Sequence, residues 1–139
     1  MRSVYHILQK LRDQEKRDRQ LAFAEAEAER MKCEANLNAR QEALRDNEEM
    51  PKTLTGAEAG WNEYLLRQRY FEVLNGEISL KEAEEKSNEK RESLLEAQKE
   101  SRIMEELIKS MQEEERKQQQ IEESKINDEL GSMSWWREK

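Results

Sequence analysis

Helix breakers, sulfur and rings are all scarce in this sequence. It carries one proline, one cysteine and four glycines, and only 6% of its residues are aromatic. A single cysteine, Cys33, cannot close an internal disulfide, which fits a reducing compartment. Apolar residues make up 35% and charged residues 41%, against about 45–50% and about 25% in ordinary globular domains. That excludes a compact domain of packed layers. No apolar run approaches the ~18–20 residues that cross a bilayer. The opening "MRSVYHILQKLRDQEKR" has no continuous apolar stretch or small-residue cleavage site, so it does not read as a secretory signal, and the expected location is the cytoplasm. The net charge is −7 with both signs interspersed. A basic stripe that would release counterions from nucleic acid is missing.

What is present is Glu, Lys, Arg, Gln, Ala and Leu, all strong helix formers, with too little Gly and Pro for a disordered chain. Breakers gather at one place, "MPKTLTGAEAG", where Pro51, Gly56 and Gly60 accompany Thr53 and Thr55 as candidate N-caps, so a new helix is expected to start by about residues 56–61. The expected organisation is one domain over 1–139: a helix over about 2–49, a turn region over about 50–60, a second helix over about 61–132 and a flexible tail over 133–139. "LAFAEAEAERM" alternates like a half-buried strand, but Ala and Glu favour helix.

A stripe through Val4, Leu8, Leu11, Glu15, Asp18, Ala22, Ala26, Glu29, Cys33, Leu37, Arg40 and Leu44 has a mean step of about 3.64 residues, close to a straight helix. In the second helix a heptad runs through Leu80, Ala83, Ser87, Lys90, Leu94, Ala97, Ser101, Met104, Ile108 and Met111. Both stripes are buried if the chain folds back near residue 55 into a long antiparallel two-helix coiled-coil hairpin with unequal arms. Residue i then faces about residue 110 − i, and a C-terminal helical overhang of about 20 residues, some 30 Å, follows Met111.

No catalytic constellation rises above this background. His6 lacks a neighbouring nucleophile and acid, and Cys33 reads as a small half-buried hydrophobe. There is no phosphate loop and no metal-ligand spacing, so neither an enzyme nor a cofactor is expected. The carboxylates alternate with Lys and Arg three and four residues apart, as on a solvated helix face. Three places ask for more than solvation. In "GWNEYLLRQRYFEVLNGEI", Tyr64, Phe71, Leu74 and Ile78 share a face that either closes the hairpin against Leu37, Leu44 and Met50 or serves as a docking patch. The overhang carries Ile121, Ile126 and Leu130. The ending "SMSWWREK" carries Met133, Trp135 and Trp136, anchors for a partner or a membrane interface.

Several stretches together resemble the flagellar FliJ family, a soluble component of the bacterial flagellar type III protein export apparatus. These are "VYHILQKLRDQEKRDRQLAFAEAEAERM", "RYFEVLNGEI", "KRESLLEAQKESRIMEELIKS" and "KINDELGSM". The resemblance covers nearly the whole chain. It implies an antiparallel coiled coil similar to the stalk of rotary ATPases, peripherally associated with the cytoplasmic face of the membrane. The implied partners are the hexameric flagellar export ATPase, the export-gate membrane protein on its cytoplasmic side, and export chaperones. Tyr64, Phe71, Leu74 and Ile78 become candidate gate contacts; Ile121, Ile126, Leu130, Met133 and Trp135 become candidate contacts to the ATPase ring. The alternatives are the equivalent stalk of a type III injectisome, or a generic coiled-coil scaffold that dimerises through the C-terminal arm.

Overall fold

Helix formers and a single cluster of breakers give two helices, α1 (Arg2–Glu48, 47 residues) and α2 (Gly56–Glu138, 83 residues). The computed structural model describes residues 2–49 and 55–138, and side chains from Val4 to Glu49 and from Thr55 to Trp136. Met50 and Pro51, expected in the turn and in its closure, lie outside the described residues. Among those described there is no strand.

The start of α2 is set by a capping box. Thr55 is the N-cap; its carbonyl accepts from the Ala59 N–H at 2.8 Å. Its own N–H donates to the Glu58 carboxylate at 3.3 Å, the reciprocal bond of a Thr-x-x-Glu start. The helix therefore begins at Gly56, the early edge of the 56–61 range in which a start is expected. Its other end is later than expected: α2 continues to Glu138 in place of a flexible tail over 133–139. Gly131 does not stop it, because that glycine has an ordinary negative φ and no proline follows.

Contacts divide the chain into two units, Glu15–Ala97 and Met1–Gln14 with Gln98–Lys139. In the first, the turn unit, α1 and α2 run antiparallel. Two bonds fix their register: Arg19 Nη1 donates to the Ser93 carbonyl at 3.0 Å, and Arg40 Nη1 to the Glu72 carbonyl at 2.9 Å. The two arginines are three heptads apart, and so are the two carbonyls, in reverse order. Arg40 thus meets Glu72, where a 110 − i pairing would set Tyr70.

The α1 seam in this unit runs through the shielded positions Lys16, Arg19, Phe23, Ala26, Arg30, Cys33, Leu37, Arg40, Leu44 and Asn47, with Ala22, Glu27 and Ala43 half-buried at its margins. The seam positions alternate steps of three and four without a break, the 3.5 period of a coiled-coil seam and not the 3.64 of a straight helix. That of α2 runs through Asn62, Leu66, Arg69, Val73, Gly76, Leu80, Ala83, Ser87, Lys90, Leu94 and Ala97, again a heptad, with Leu65, Glu72 and Ser93 half-buried beside it. The α2 heptad expected from Leu80 onward in fact begins at Asn62.

Chemically the two faces are unlike. α1 lays long cationic side chains across the seam, and α2 opposes them with Gly76, Ala83, Ser87 and Ala97. The arginine stems cover the apolar seam while their guanidinium groups reach out to helix carbonyls, which have a spare lone pair. Among the described residues, only small ones and one large one, Leu37 at 7% exposure, are buried, and no side chain is below 2%. At Gly76 the two helices pack closely: a Cβ there would stand 3.1 Å from Leu37 Cδ1 and 3.4 Å from Arg40 Cδ.

In the second, the terminal unit, the first turns of α1 pack against α2 after Gln98. The seam runs through the shielded positions Tyr5, Gln9 and Arg12 on α1 and Ser101, Met104, Ile108, Met111 and Glu115 on α2, with Asp13, Gln98 and Glu100 half-buried beside it. Arg12 pairs with Glu100, and the Ser101 hydroxyl donates to the Asp13 carboxylate at 3.4 Å. The seam expected through Val4, Leu8 and Leu11 is one residue out of phase. All three are exposed, Leu11 by 59%. The reason is the fixed 3.5 period: an α1 seam in step with the small residues of α2 must pass through Tyr5, Gln9 and Arg12. After Glu115, every described side chain through Trp136 is exposed.

Candidate interaction surfaces

In a coiled-coil heptad written a to g, with a and d in the seam, b, c and f face outward and are ordinarily charged. On α2 of the turn unit, Leu66 and Val73 are a positions and Arg69 and Gly76 are d positions. Tyr64, Phe71 and Ile78 therefore fall at successive f positions and Leu74 at b. The four side chains share an arc of about 80° on the side away from α1, at 100° per residue. Phe71 is 65% exposed, Leu74 52% and Ile78 50%. Closure of the hairpin by these residues against Leu37 and Leu44 is overturned: Leu66, Val73, Gly76 and Leu80 take that place. Trp61, at c, stacks on Tyr64 with ring centroids 5.6 Å apart and 23° between planes, extending the stripe toward the start of α2. Arg67 interrupts the stripe and pairs with Glu63 at 3.3 Å. Tyr70 belongs elsewhere: its hydroxyl donates to Glu48 Oε1 at 2.8 Å, and that bond holds the phenol's pKa above its ordinary value.

The overhang of the terminal unit has a different layout. Ile126, Leu130 and Met133 lie at i, i+4 and i+7, one face of α2. Ile121 and Trp135 are two heptads apart and share another face, about 180° from Ile126 in the case of Trp135. The five candidate residues are thus brought into two groups. Trp135 meets Trp136 edge to face, centroids 5.4 Å apart and planes 84° apart. Both rings remain exposed.

Charged groups along the seam serve the pairing of the helices. Arg30 forks onto Glu27, with Nη2 3.1 Å from Oε2, and the Ser87 hydroxyl donates to Glu27 Oε1. The Arg30 hydrogen bonds, then the Ser87 bond, hold the Glu27 carboxyl below the ordinary range. Cys33 is a free, half-buried thiol. Beside it an open groove of about 440 Å³, lined by Glu29, Lys32, Arg40, Gly76 and Ala83 among others, marks where α2 is thinnest. Among the described residues no group of acidic, histidine or cysteine side chains is arranged to hold a metal ion. No helix among them is long and apolar enough to cross a membrane.

A pair of antiparallel helices with a thin polar seam and large apolar side chains at its outward positions belongs to the coiled-coil proteins that present surface to partners. A family model described as "Flagellar FliJ protein" matches residues 3–139. The chain belongs to the FliJ family, and so is a component connected with flagellar protein export. Comparison with curated proteins and with solved structures gave no match.

Proposed function

We propose that this protein is the stalk-like coiled coil of the flagellar export apparatus, linking the hexameric export ATPase to the export-gate membrane protein and assisting export chaperones at the cytoplasmic face of the membrane. The observation that carries this reading is the pairing of an apolar stripe at outward heptad positions with a helix that continues uncovered after Glu115. Exposed aromatic and aliphatic side chains at b and f positions serve no purpose within a two-helix pair, and are a partner's contact.

In this reading Tyr64, Phe71, Leu74 and Ile78 meet the gate. Ile121, Ile126, Leu130, Met133 and Trp135 enter the ATPase ring, where two apolar faces around one helix suit a surface that surrounds it. Scaffold dimerisation through the C-terminal arm is disfavoured, because α1 covers Leu94 and Ala97 in the turn unit, and Ser101, Met104 and Ile108 in the terminal unit. Co-purification with the cognate ATPase, and stimulation of its ATP turnover, tests the reading. Phe71→Ala with Leu74→Ala should weaken capture of the gate's cytoplasmic domain and leave ATPase stimulation intact. Loss of stimulation with gate capture intact would reverse the two assignments, and absence of both interactions in the unmodified protein would end the proposal.

A further inference from the structure

The terminal unit carries another apolar surface, used by neither its seam nor its overhang. Val4, Leu8 and Leu11 on α1 and Ile103 and Leu107 on α2 are all exposed. With Tyr5 and Arg12 at d and Ser101 and Ile108 at a, these five residues occupy only c and g positions. In an antiparallel pair the g edge of one helix lies beside the g edge of the other, and e beside e. A small notch in this unit shows the e edges together: it is lined by Tyr5, His6, Ile108, Met111, Gln112 and Glu115, and His6 and Gln112 are e positions. Leu8 and Leu107 therefore share the opposite edge. Val4 and Leu11 flank Leu8 on one helix and Ile103 flanks Leu107 on the other. The result is a two-row aliphatic face roughly 10 Å long at 1.5 Å per residue, with the seam as the valley between its rows. A third helix packs into such a valley.

The charges around this face select the kind of helix. Beside Leu107 stands Glu106 and, one heptad on at g, Glu114, with Glu113 at f; Glu100, also at g, is paired with Arg12, and the cations are Lys99 at f and Lys117 at c. Arg102, Lys109 and Arg116 of α2, like Lys10 of α1, are at b, on the far side of each helix. The c, f and g positions of α1 through Gln14 carry no charge. A second copy of the chain would set one acidic edge on another, which disfavours an isologous pair. We infer that this face docks an amphipathic helix of a partner protein, aliphatic on one side and flanked by Lys or Arg, to form a three-helix bundle with α1 and α2. The inference does not rest on the stalk reading, since it involves neither the Phe71 stripe nor the overhang.

A designed peptide tests it: three heptads with leucines on one face, lysines flanking them and a fluorescent label, titrated into the full chain and followed by anisotropy. Two further peptides share the design, one with glutamates replacing the lysines and one with the basic sequence scrambled. The basic peptide should bind saturably, with a Kd at least about tenfold below that of the glutamate peptide, and the scrambled one should not bind. Ile103→Gln with Leu107→Gln should weaken the basic peptide about tenfold or more, as should Glu106→Lys with Glu114→Lys. Phe71→Ala should leave it unchanged. These side chains are exposed, so each variant should keep the wild-type circular dichroism. Equal binding of basic and glutamate peptides, binding of the scrambled peptide, or indifference to both double variants would overturn the inference. So would a dimer in sedimentation equilibrium that Leu107→Gln abolishes, because the occupant would then be a second copy.

Discussion

Gly76 is the position at which the packing of the turn unit can be tested with one side chain at a time. In Gly76→Ala two effects oppose each other. Replacing glycine in a helix interior gains about 1 kcal/mol from backbone entropy. The new Cβ, however, stands 3.1 Å from Leu37 Cδ1, with Arg40 Cδ at 3.4 Å and Arg40 Nη1 at 3.5 Å. Leu37 is buried and must give by a few tenths of an ångström, while the Arg40 atoms stand at ordinary van der Waals distance and keep their bond to Glu72. These terms nearly cancel, and Gly76→Ala should lie within about 1 kcal/mol of the unmodified protein. Gly76→Leu keeps the helix-propensity gain and adds three more carbons beyond a Cβ that is already tight against Leu37. Overpacking of this kind costs about 1–3 kcal/mol. It also displaces Arg40 from the Glu72 carbonyl, a charged bond worth about 1.5–3 kcal/mol. A net destabilisation of about 2–4 kcal/mol follows. Urea unfolding followed by far-ultraviolet circular dichroism reads both variants, with Gly60→Leu as the control, since nothing lies within 4 Å of that glycine. If Gly76→Leu is as stable as the unmodified protein, α1 and α2 do not approach at Gly76 and the register set by Arg19 and Arg40 is wrong.

Leu37→Ala should cost about 2–3 kcal/mol in the same assay, whereas Leu11→Ala, at an exposed site, should stay within about 0.5 kcal/mol; equal costs would restore the seam through Leu11. Asn62 Oδ1 is buried without a partner at a seam position, so Asn62→Leu should raise the melting temperature, by the equivalent of about 1–3 kcal/mol at most. Glu27 has a folded pKa below its ordinary value. Its stabilising effect is therefore complete above about pH 4.3 and is lost as pH falls through the lower folded value. Glu27→Gln should melt earlier than the unmodified protein at neutral pH, and the gap should close on titration toward about pH 3; a gap that widens would refute the Arg30 and Ser87 pairing. Tyr70 titrates the other way. Its contribution is present below about pH 10 and lost as pH rises through the elevated folded value, so Tyr70→Phe should matter at neutral pH and cease to matter in strong alkali.

How much of this was written in the sequence differs between the helices, for a physical reason. The α2 seam from Leu80 to Met111 was legible because its shielded positions are apolar or small and its neighbours are charged. Its first part, Asn62 to Gly76, was not. There the outward face carries the aromatics, and the seam holds Asn62, Arg69 and Gly76, so hydrophobicity points away from the contact. The same inversion hid the first part of the α1 seam, whereas the expected stripe through Ala26, Cys33, Leu37, Arg40 and Leu44 coincides with the seam. Val4, Leu8 and Leu11 are the apolar residues, yet Tyr5, Gln9 and Arg12 meet α2. A signal was present all the same: two helices that share a seam must share its period, and the strict heptad of α2 excluded a partner stripe stepping at about 3.64 residues.

That inversion bears on function as well. A seam in which arginine stems, glycine, alanine and serine alternate with Phe23, Leu37, Leu44, Leu66, Val73, Leu80 and Leu94 buries less apolar area than a seam of leucines throughout, and its stability is correspondingly modest. Moving Phe71 or Leu11 into the seam would strengthen the pair, and nothing in the helical geometry forbids it. Outward placement of the best apolar residues, with polar ones inside, sacrifices intrachain stability. The same disposition recurs separately in the turn unit, with Phe71, Leu74 and Ile78, and in the terminal unit, with Val4, Leu11 and Ile103. A chain selected only to hold two helices together would have the opposite arrangement. Retention of large side chains on the water side, in each unit on its own, is the mark of surfaces that are covered when the protein is at work.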